Sequence, residues 1–276
     1  MKRSMGFNGK LQEIGYLQRK ERVMRKALLG LIVVTVFMGL SIPAMAFEVG
    51  VRGYYWFPGL SGDLKVDGNG ITGTTIDIED DLGMADESYP VIEIFAGLGN
   101  HHLSFSYYSA DYDGSKVLSK TINFNGLTYN ANTLINTNLK YDVYDFMYMY
   151  DLLDLENILA GFSIGLVGKI KYFDGSVGIR STTQSTSTDF SAPIPMLGVN
   201  FHAGLLADIL EARLLITGIG YSGNKILDGQ AEISYTPFPF LDIHGGYRFF
   251  TIDFDLDDVE ANYSTSGPYA AVTISF

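Results

Sequence analysis

Charged side chains recur at alternate positions within otherwise apolar segments of this 276-residue chain. Lys169 and Lys171, for example, flank Ile170. Where such a segment forms a strand, alternate residues face the same side, so the charged residues share a face opposite the apolar one. We predict that the charged faces line an enclosed interior, formed by Glu48, Arg52, Glu93, Lys169, Lys171, Arg213, Glu232, His244 and Arg248.

Two functions fit this interior set. The charges could pair across the interior and fill it in place of apolar packing. Alternatively, they could line a narrow polar conduit whose charges select the permeant solute. The conduit predicts that Arg52→Ala or Lys169→Ala changes ion selectivity, and unchanged reversal potentials in both variants would exclude it.

Carboxylates near the end of the chain have a spacing that suits a cation. Asp253, Asp255, Asp257 and Asp258 lie in and just before a loop that we predict over Asp255–Ser266. Carboxylates two residues apart could bind a hard cation such as Ca²⁺. The spacing of an EF-hand is not present, so the alternative is a solvated acidic surface.

The four His residues give little support for catalysis. A hydrolytic site needs a His beside an Asp or Ser that can orient it or act with it. His101 and His102 fall in a predicted turn, and no clear partner can be assigned to His202 or His244 from the sequence. We therefore predict that the protein is not an enzyme, and we expect no cofactor.

The elements that would position these residues are strands with period-two alternation. The last segment shows the pattern well, since Phe276, Ile274 and Val272 share one face and Ser275 and Thr273 share the other. The predicted strands are Phe47–Phe57, Pro90–Leu98, His102–Tyr112, Leu139–Leu152, Ile158–Phe173, Pro195–Leu205, Leu210–Tyr221, Ile226–Tyr235, Leu241–Phe254 and Gly267–Phe276. Apolar faces on strands of this length predict an all-β fold, a transmembrane antiparallel up-and-down barrel of about ten strands, with eight or twelve as alternatives.

The N-terminal residues have the pattern of an export signal. A basic region containing Arg25 and Lys26 precedes the apolar run Ala27–Leu40, which is short for a bilayer span, and Ala44-Met45-Ala46 is a small-x-small cleavage site. We predict a signal peptide over residues 24–46, cleaved after Ala46, with residues 1–23 an over-called start. The barrel is expected over residues 47–276.

Composition excludes several classes of protein. The formal net charge is −12, and removal of the basic N-terminal segment makes the chain still more acidic, so the protein is not expected to bind nucleic acid. The chain contains no Cys, which excludes disulfides and thiolate-bound metals.

Four motifs resemble the small, uncharacterised outer-membrane β-barrel families of Gram-negative bacteria, which include barrels of OmpW-like and OmpA-like size. They are Tyr54-Tyr55-Trp56-Phe57-Pro58, the run Ser234–Phe240, the run Gly245–Arg248 and the terminal Phe276. The resemblance implies a monomer in contact with outer-membrane lipid and lipopolysaccharide. It also implies that the barrel assembly machinery recognises Phe276, Ile274 and Val272. We expect a narrow passive channel for small solutes. The alternatives are a structural or surface-interaction barrel with acidic, cation-binding loops, and then a barrel enzyme acting on lipid or peptide.

Overall fold

The computed structural model describes residues 47–155, 161–206, 209–221, 223–256 and 259–276. The predicted signal peptide, as well as Asp257 and Asp258, lies outside the described residues. The strands are β1 (Phe47–Trp56), β2 (Gly59–Val66), β3 (Ile76–Asp77), β4 (Tyr89–Leu98), β5 (His101–Val117), β6 (Ile122–Phe124), β7 (Leu127–Tyr129), β8 (Leu134–Asp154), β9 (Phe162–Arg180), β10 (Ser185–Leu206), β11 (Leu210–Tyr221), β12 (Asn224–Phe238), β13 (Leu241–Leu256) and β14 (Val259–Ser275). No helix among these residues is long and apolar enough to span a membrane.

The main sheet closes on itself. Its strands follow the order β1-β4-β5-β8-β9-β10-β11-β12-β13-β14, and β14 pairs with β1 in turn, from Gly50↔Ser275 to Trp56↔Tyr269. Beyond Trp56, β2 continues the same wall of the barrel along the remainder of β14. Every one of these pairings is antiparallel. The described residues therefore form a closed barrel of ten strands, as the sequence predicts.

The two faces of the barrel wall differ in polarity. Outward side chains are apolar and exposed, as with Ile92, Ile94 and Phe146, whereas alternate residues point into the lumen. An apolar exterior of this kind suits contact with lipid. Tyr54 and Trp56 are buried in the lumen, because they share the inward face of β1 with Arg52.

Several strands are longer than predicted. We call the end of the barrel that holds Phe47 and Phe276 the lower end and the opposite end the upper end. β8, β9 and β10 have 21, 19 and 22 residues, whereas a tilted barrel strand needs only about 9–11 residues to cross a bilayer, so these strands project at the upper end. The predicted loop over Asp255–Ser266 is wrong, because the β13–β14 ladder continues to Leu256↔Val259.

The upper end carries a folded cap. It consists of β3 with the turn after it and of the β6–β7 hairpin, and its side chains Ile76, Ile122 and Phe124 are fully buried. The hydroxyl of Tyr129 donates to Ile179 O at 3.0 Å and so fixes the hairpin on β9. Burial raises the pKa of the Tyr129 phenol. The buried apolar side chains of the cap are therefore continuous with the apolar core of the upper lumen.

Candidate functional site

A layer of five ionised side chains crosses the middle of the lumen, and we call it the central charged layer. Its cations are Lys169 and Lys171 on β9 and Arg248 on β13; its anions are Asp145 on β8 and Asp228 on β12. Lys171 Nζ lies 2.6 Å from Asp145 Oδ2 and 3.0 Å from Asp228 Oδ2. Lys169 Nζ lies 2.7 Å from Asp228 Oδ2 and 3.4 Å from Asp145 Oδ2. Because β9 and β12 are separated by two strands, these contacts bridge the lumen.

Arg248 completes the central charged layer from the wall beside β12. Its Nη2 lies 3.4 Å from Asp145 Oδ2 and 3.7 Å from Asp228 Oδ2, while its Nη1 donates to the Tyr54 hydroxyl. The guanidinium also lies 4.9 Å from the centre of the Trp56 ring. The layer thus carries three positive and two negative groups, and each carboxylate contacts all three cations.

Water has little access to the central charged layer. The side chains of Lys171, Asp228 and Arg248 are 0%, 4% and 3% exposed. A cavity beside the layer has a volume of only about 30 Å³, room for about two water molecules. The layer therefore fills the lumen at this level.

A second ionic cluster lies below the central charged layer. Arg52 on β1 forms an ion pair with Glu232 on β12, and the hydroxyl of Tyr269 also donates to Glu232. Arg213 Nη1 approaches the same carboxylate at 3.9 Å. His244 Nδ1 lies 3.9 Å from Glu232 Oε1, and its Nε2 lies 2.8 Å from the Thr273 hydroxyl. Glu232 is the common centre of this cluster.

A polar cavity of about 350 Å³ occupies the lower end of the lumen. Glu48 and Glu93 line it, together with the lower ionic cluster. His102 Nε2 lies 2.8 Å from Asp151 Oδ2 in this cavity, so this His has a carboxylate partner that the sequence did not reveal. All nine residues predicted in the interior therefore line the lumen, in the central charged layer, the ionic cluster below it and the lower cavity.

A different cavity, which we call the upper chamber, lies in the upper half of the lumen. It has a volume of about 550 Å³ and a largely apolar lining that includes Tyr141, Phe173, Ile194, Ile226 and Ile252. The aromatic ring of Phe173 stacks on Phe250 at 5.3 Å, and Phe250 in turn lies 5.2 Å from Lys171 Nζ. The upper chamber therefore ends below at aromatic rings that rest on the central charged layer.

The upper chamber is not predicted from the sequence. A signal for it exists, because the inward face of single strands changes from polar to apolar towards the upper end. On β12 the inward residues run from Glu232 and Asp228 to Ile226, and on β9 they run from Lys171 to Phe173. A polar conduit would require polar residues over the whole length of that face.

The predicted calcium residues do not come together as a described site. Asp253 lies 3.3 Å from Lys225 Nζ, and Asp255 belongs to the β13–β14 ladder as the partner of Glu260. Within the part of the chain that the structure describes, no three His, Asp or Glu side chains are grouped to hold a metal. Because Asp257 and Asp258 lie outside it, the calcium site stays a prediction.

No protein-family model matches this chain. No curated protein matches it.

Solved structures do share its fold, a closed antiparallel β-barrel. The outer membrane protease OmpT from Escherichia coli has a TM-score of 0.57 at 9% identity, covering 84% of this chain and 99% of that chain. Ail, the attachment invasion locus protein of Yersinia pestis, has a TM-score of 0.38 at 14% identity, covering 84% of this chain and 100% of that chain. The likeness to OmpT shows the barrel fold and nothing about chemistry, and the likeness to Ail is too weak to support an inference. The OmpW-like or OmpA-like resemblance stays a prediction.

Proposed function

We propose that this protein is an outer-membrane barrel that binds a linear apolar molecule, such as an acyl chain, in the upper chamber. The chamber itself supports the proposal, because cavities of about 300–1,000 Å³ with mainly apolar walls and a few polar groups are typical of small-molecule sites. Its volume of about 550 Å³ lies in that range. Its few polar lining residues, among them Asp63, Asp189 and Lys225, could meet a polar head group.

The expected affinity follows from the apolar lining. Transfer of one methylene group from water to an apolar environment contributes about 0.8 kcal/mol. A chain of about ten methylenes would then gain about 8 kcal/mol, which corresponds to a dissociation constant of about 1 μM before the cost of ordering the ligand.

The proposed location rests on the exterior of the barrel. Its apolar outward residues suit a bilayer, and the export signal predicted over residues 24–46 would deliver the chain to the outer membrane. There it would contact lipid and lipopolysaccharide as a monomer. We further propose that the assembly machinery reads the strand ending in Phe276, whose N–H donates to Val49 O at 2.9 Å in the closing pair.

A narrow passive channel for small solutes is the second candidate. The polar lower cavity of about 350 Å³ favours it, because it would admit water and small ions from the lower end. The central charged layer opposes it, because ions would have to displace buried and paired side chains. We rank a surface-interaction barrel after these two, and we propose a binding role in preference to an enzymatic one.

Filling the upper chamber tests the proposed function. Ala192 lines the chamber and pairs with Phe173 across the β9–β10 ladder, so Ala192→Phe would place a ring where the ligand should lie. We expect this variant to bind a dansyl-labelled fatty acid about tenfold more weakly or worse, since overpacking typically costs about 1–3 kcal/mol. The measurement is the fluorescence of the dansyl probe bound to protein held in amphipol, displaced by unlabelled dodecanoic acid.

A matched variant controls for the added ring. Ala231 on β12 is exposed and faces away from the lumen in the alternation of that strand. Ala231→Phe should therefore bind the probe as the native chain does. The proposal fails if the native protein does not bind the probe, or if the two variants bind it equally well.

A further inference from the structure

The upper half of β10 has a free edge. β10 pairs with β9 without interruption from Ser185↔Arg180 to Ala203↔Phe162. Its pairing with β11 begins only at Leu197↔Gly218. Among the described residues, Ser185–Met196 therefore pair on one side alone, although β11 itself continues to Tyr221 in its ladder with β12. The wall of the barrel has a gap between β10 and β11, above the pair Leu197↔Gly218.

Two prolines explain why the ladder ends there. Successive residues of a strand direct their N–H groups to opposite neighbours, so even and odd positions of β10 serve different strands. Gly204 N donates to Gly161 O on the β9 side, which leaves the odd positions to donate towards β11. Pro193 and Pro195 are odd positions without an N–H. They remove two successive donors from the edge that faces β11, as expected for proline at the edge of a sheet.

The gap leads directly to the upper chamber. On the β10 side, Phe190 and Ile194 line both the edge and the chamber. On the other side, the chamber is lined by Ile219 of β11 and Ile226 of β12. Ile219 points inward in the alternation of β11 and yet is 42% exposed. Ile219 therefore presents an apolar surface where the gap meets the chamber.

The lower part of the gap lies at the height of the apolar exterior. Leu197, in the uppermost β10–β11 pair, points outward and is 78% exposed. Pro193 pairs with Tyr172, whose ring centroid lies 6.3 Å from that of Tyr144. The Tyr144 centroid in turn lies 5.1 Å from that of Tyr107, so the three form a row of outward tyrosines. Rows of outward aromatic residues mark the membrane interface of such barrels. The gap therefore begins within the lipid-facing band and continues above it.

We propose that the gap between β10 and β11 is a lateral portal through which an acyl chain passes from the outer leaflet of the bilayer into the upper chamber. This inference rests on the proposed function, because it requires that the chamber bind such a chain. The apolar side chains on both edges of the portal would keep the acyl chain out of water along the route. The folded cap above β5, β8 and β9 makes the opposite side of the chamber the less direct route.

Closing the portal with a covalent link tests the proposal. The chain contains no Cys, so two introduced thiols are the only ones present. Ser191→Cys with Gly220→Cys places a thiol on each edge, and a Cβ at Gly220 meets only Asn224 O, at 3.7 Å. A flexible bis-maleimide then joins the two edges. The control is the same linker between Val199→Cys and Ile216→Cys, which are partners inside the intact ladder.

The probe is a dodecanoic acid with a diazirine near its tail, added in donor vesicles to proteoliposomes of the full mature protein. Photolysis at set times labels the residues that the tail has reached, and mass spectrometry locates them. We expect the portal link to slow labelling of Phe190 and Ile194 by about tenfold or more, the change that an added barrier of about 1.4 kcal/mol produces. Labelling in the control should keep the rate of the unlinked protein.

Two other outcomes would overturn the proposal in distinguishable ways. Equal labelling rates in both linked proteins would show that the acyl chain enters by another route, while the chamber still binds it. If the chamber of the unlinked protein stays unlabelled after prolonged incubation in amphipol, the proposed function fails and the portal fails with it.

Discussion

Replacing Asp228 by Asn should destabilise the folded barrel by about 3–5 kcal/mol, the cost that follows when one partner of a buried ion pair is removed. Asp228 Oδ2 contacts Lys169, Lys171 and Arg248 at 2.7, 3.0 and 3.7 Å. Without its charge, these three cations would share the single carboxylate of Asp145. Water cannot compensate at this depth, because Lys171 is fully buried.

Lys171→Met is the matched control for this prediction. It leaves two cations with two carboxylates, and the rings of Phe250 and Tyr108 lie 5.2 and 5.9 Å from the Nζ that it removes. The large cost of removing one partner comes from the buried charge that is left without a counter-charge. Since this variant leaves two cations with two carboxylates, we expect a change below about 1 kcal/mol. Equilibrium unfolding in urea, with the protein in lipid vesicles, can be followed by the fluorescence of Trp56, the single Trp of the chain. Equal losses in the two variants would contradict a role for charge balance.

The sequence predicts the barrel well because its signal is local. Alternation such as Tyr144-x-Phe146-x-Tyr148 fixes both the presence of a strand and the side that faces outward. The extent of the strands is less local. The acidic residues after Phe254 lack apolar alternation and were therefore predicted as a loop, but pairing with neighbours carries β13 and β14 on to Leu256↔Val259.

The site is predicted only in part, because its partners are distant in the sequence. Lys169 and Lys171 can be placed in the lumen from the alternation of a single strand. Their partner Asp228 lies on a strand three positions further around the barrel. The alternation pattern does not reveal the strand register that brings Asp228 to 2.7 Å from Lys169. The portal is an intermediate case, since Pro193 and Pro195 suggest a sheet edge, but only the pairing of β11 shows which side is free.

The central charged layer makes a direct prediction about conductance. Lys171→Ala combined with Asp145→Ala removes one positive and one negative group, so the net charge of the layer is unchanged while the side chains become short. The upper chamber of about 550 Å³ and the lower cavity of about 350 Å³ should then communicate through the space that is released. In planar lipid bilayers we expect reproducible single-channel steps from this variant and none from the native protein, shown to be folded and inserted.

The control and the contrary outcome decide between the two candidate functions. Phe146→Ala with Ile170→Ala shortens two lipid-facing side chains that are partners in the β8–β9 ladder. This variant should show no single-channel steps, because it leaves the lumen unchanged. Steps from the native protein, with a reversal potential that Arg52→Ala or Lys169→Ala shifts, would establish the narrow channel predicted from the sequence. In that case the ion pairs of the central charged layer would have to exchange with permeant ions. The burial of these pairs would then set the height of the barrier to conduction and would not close the lumen.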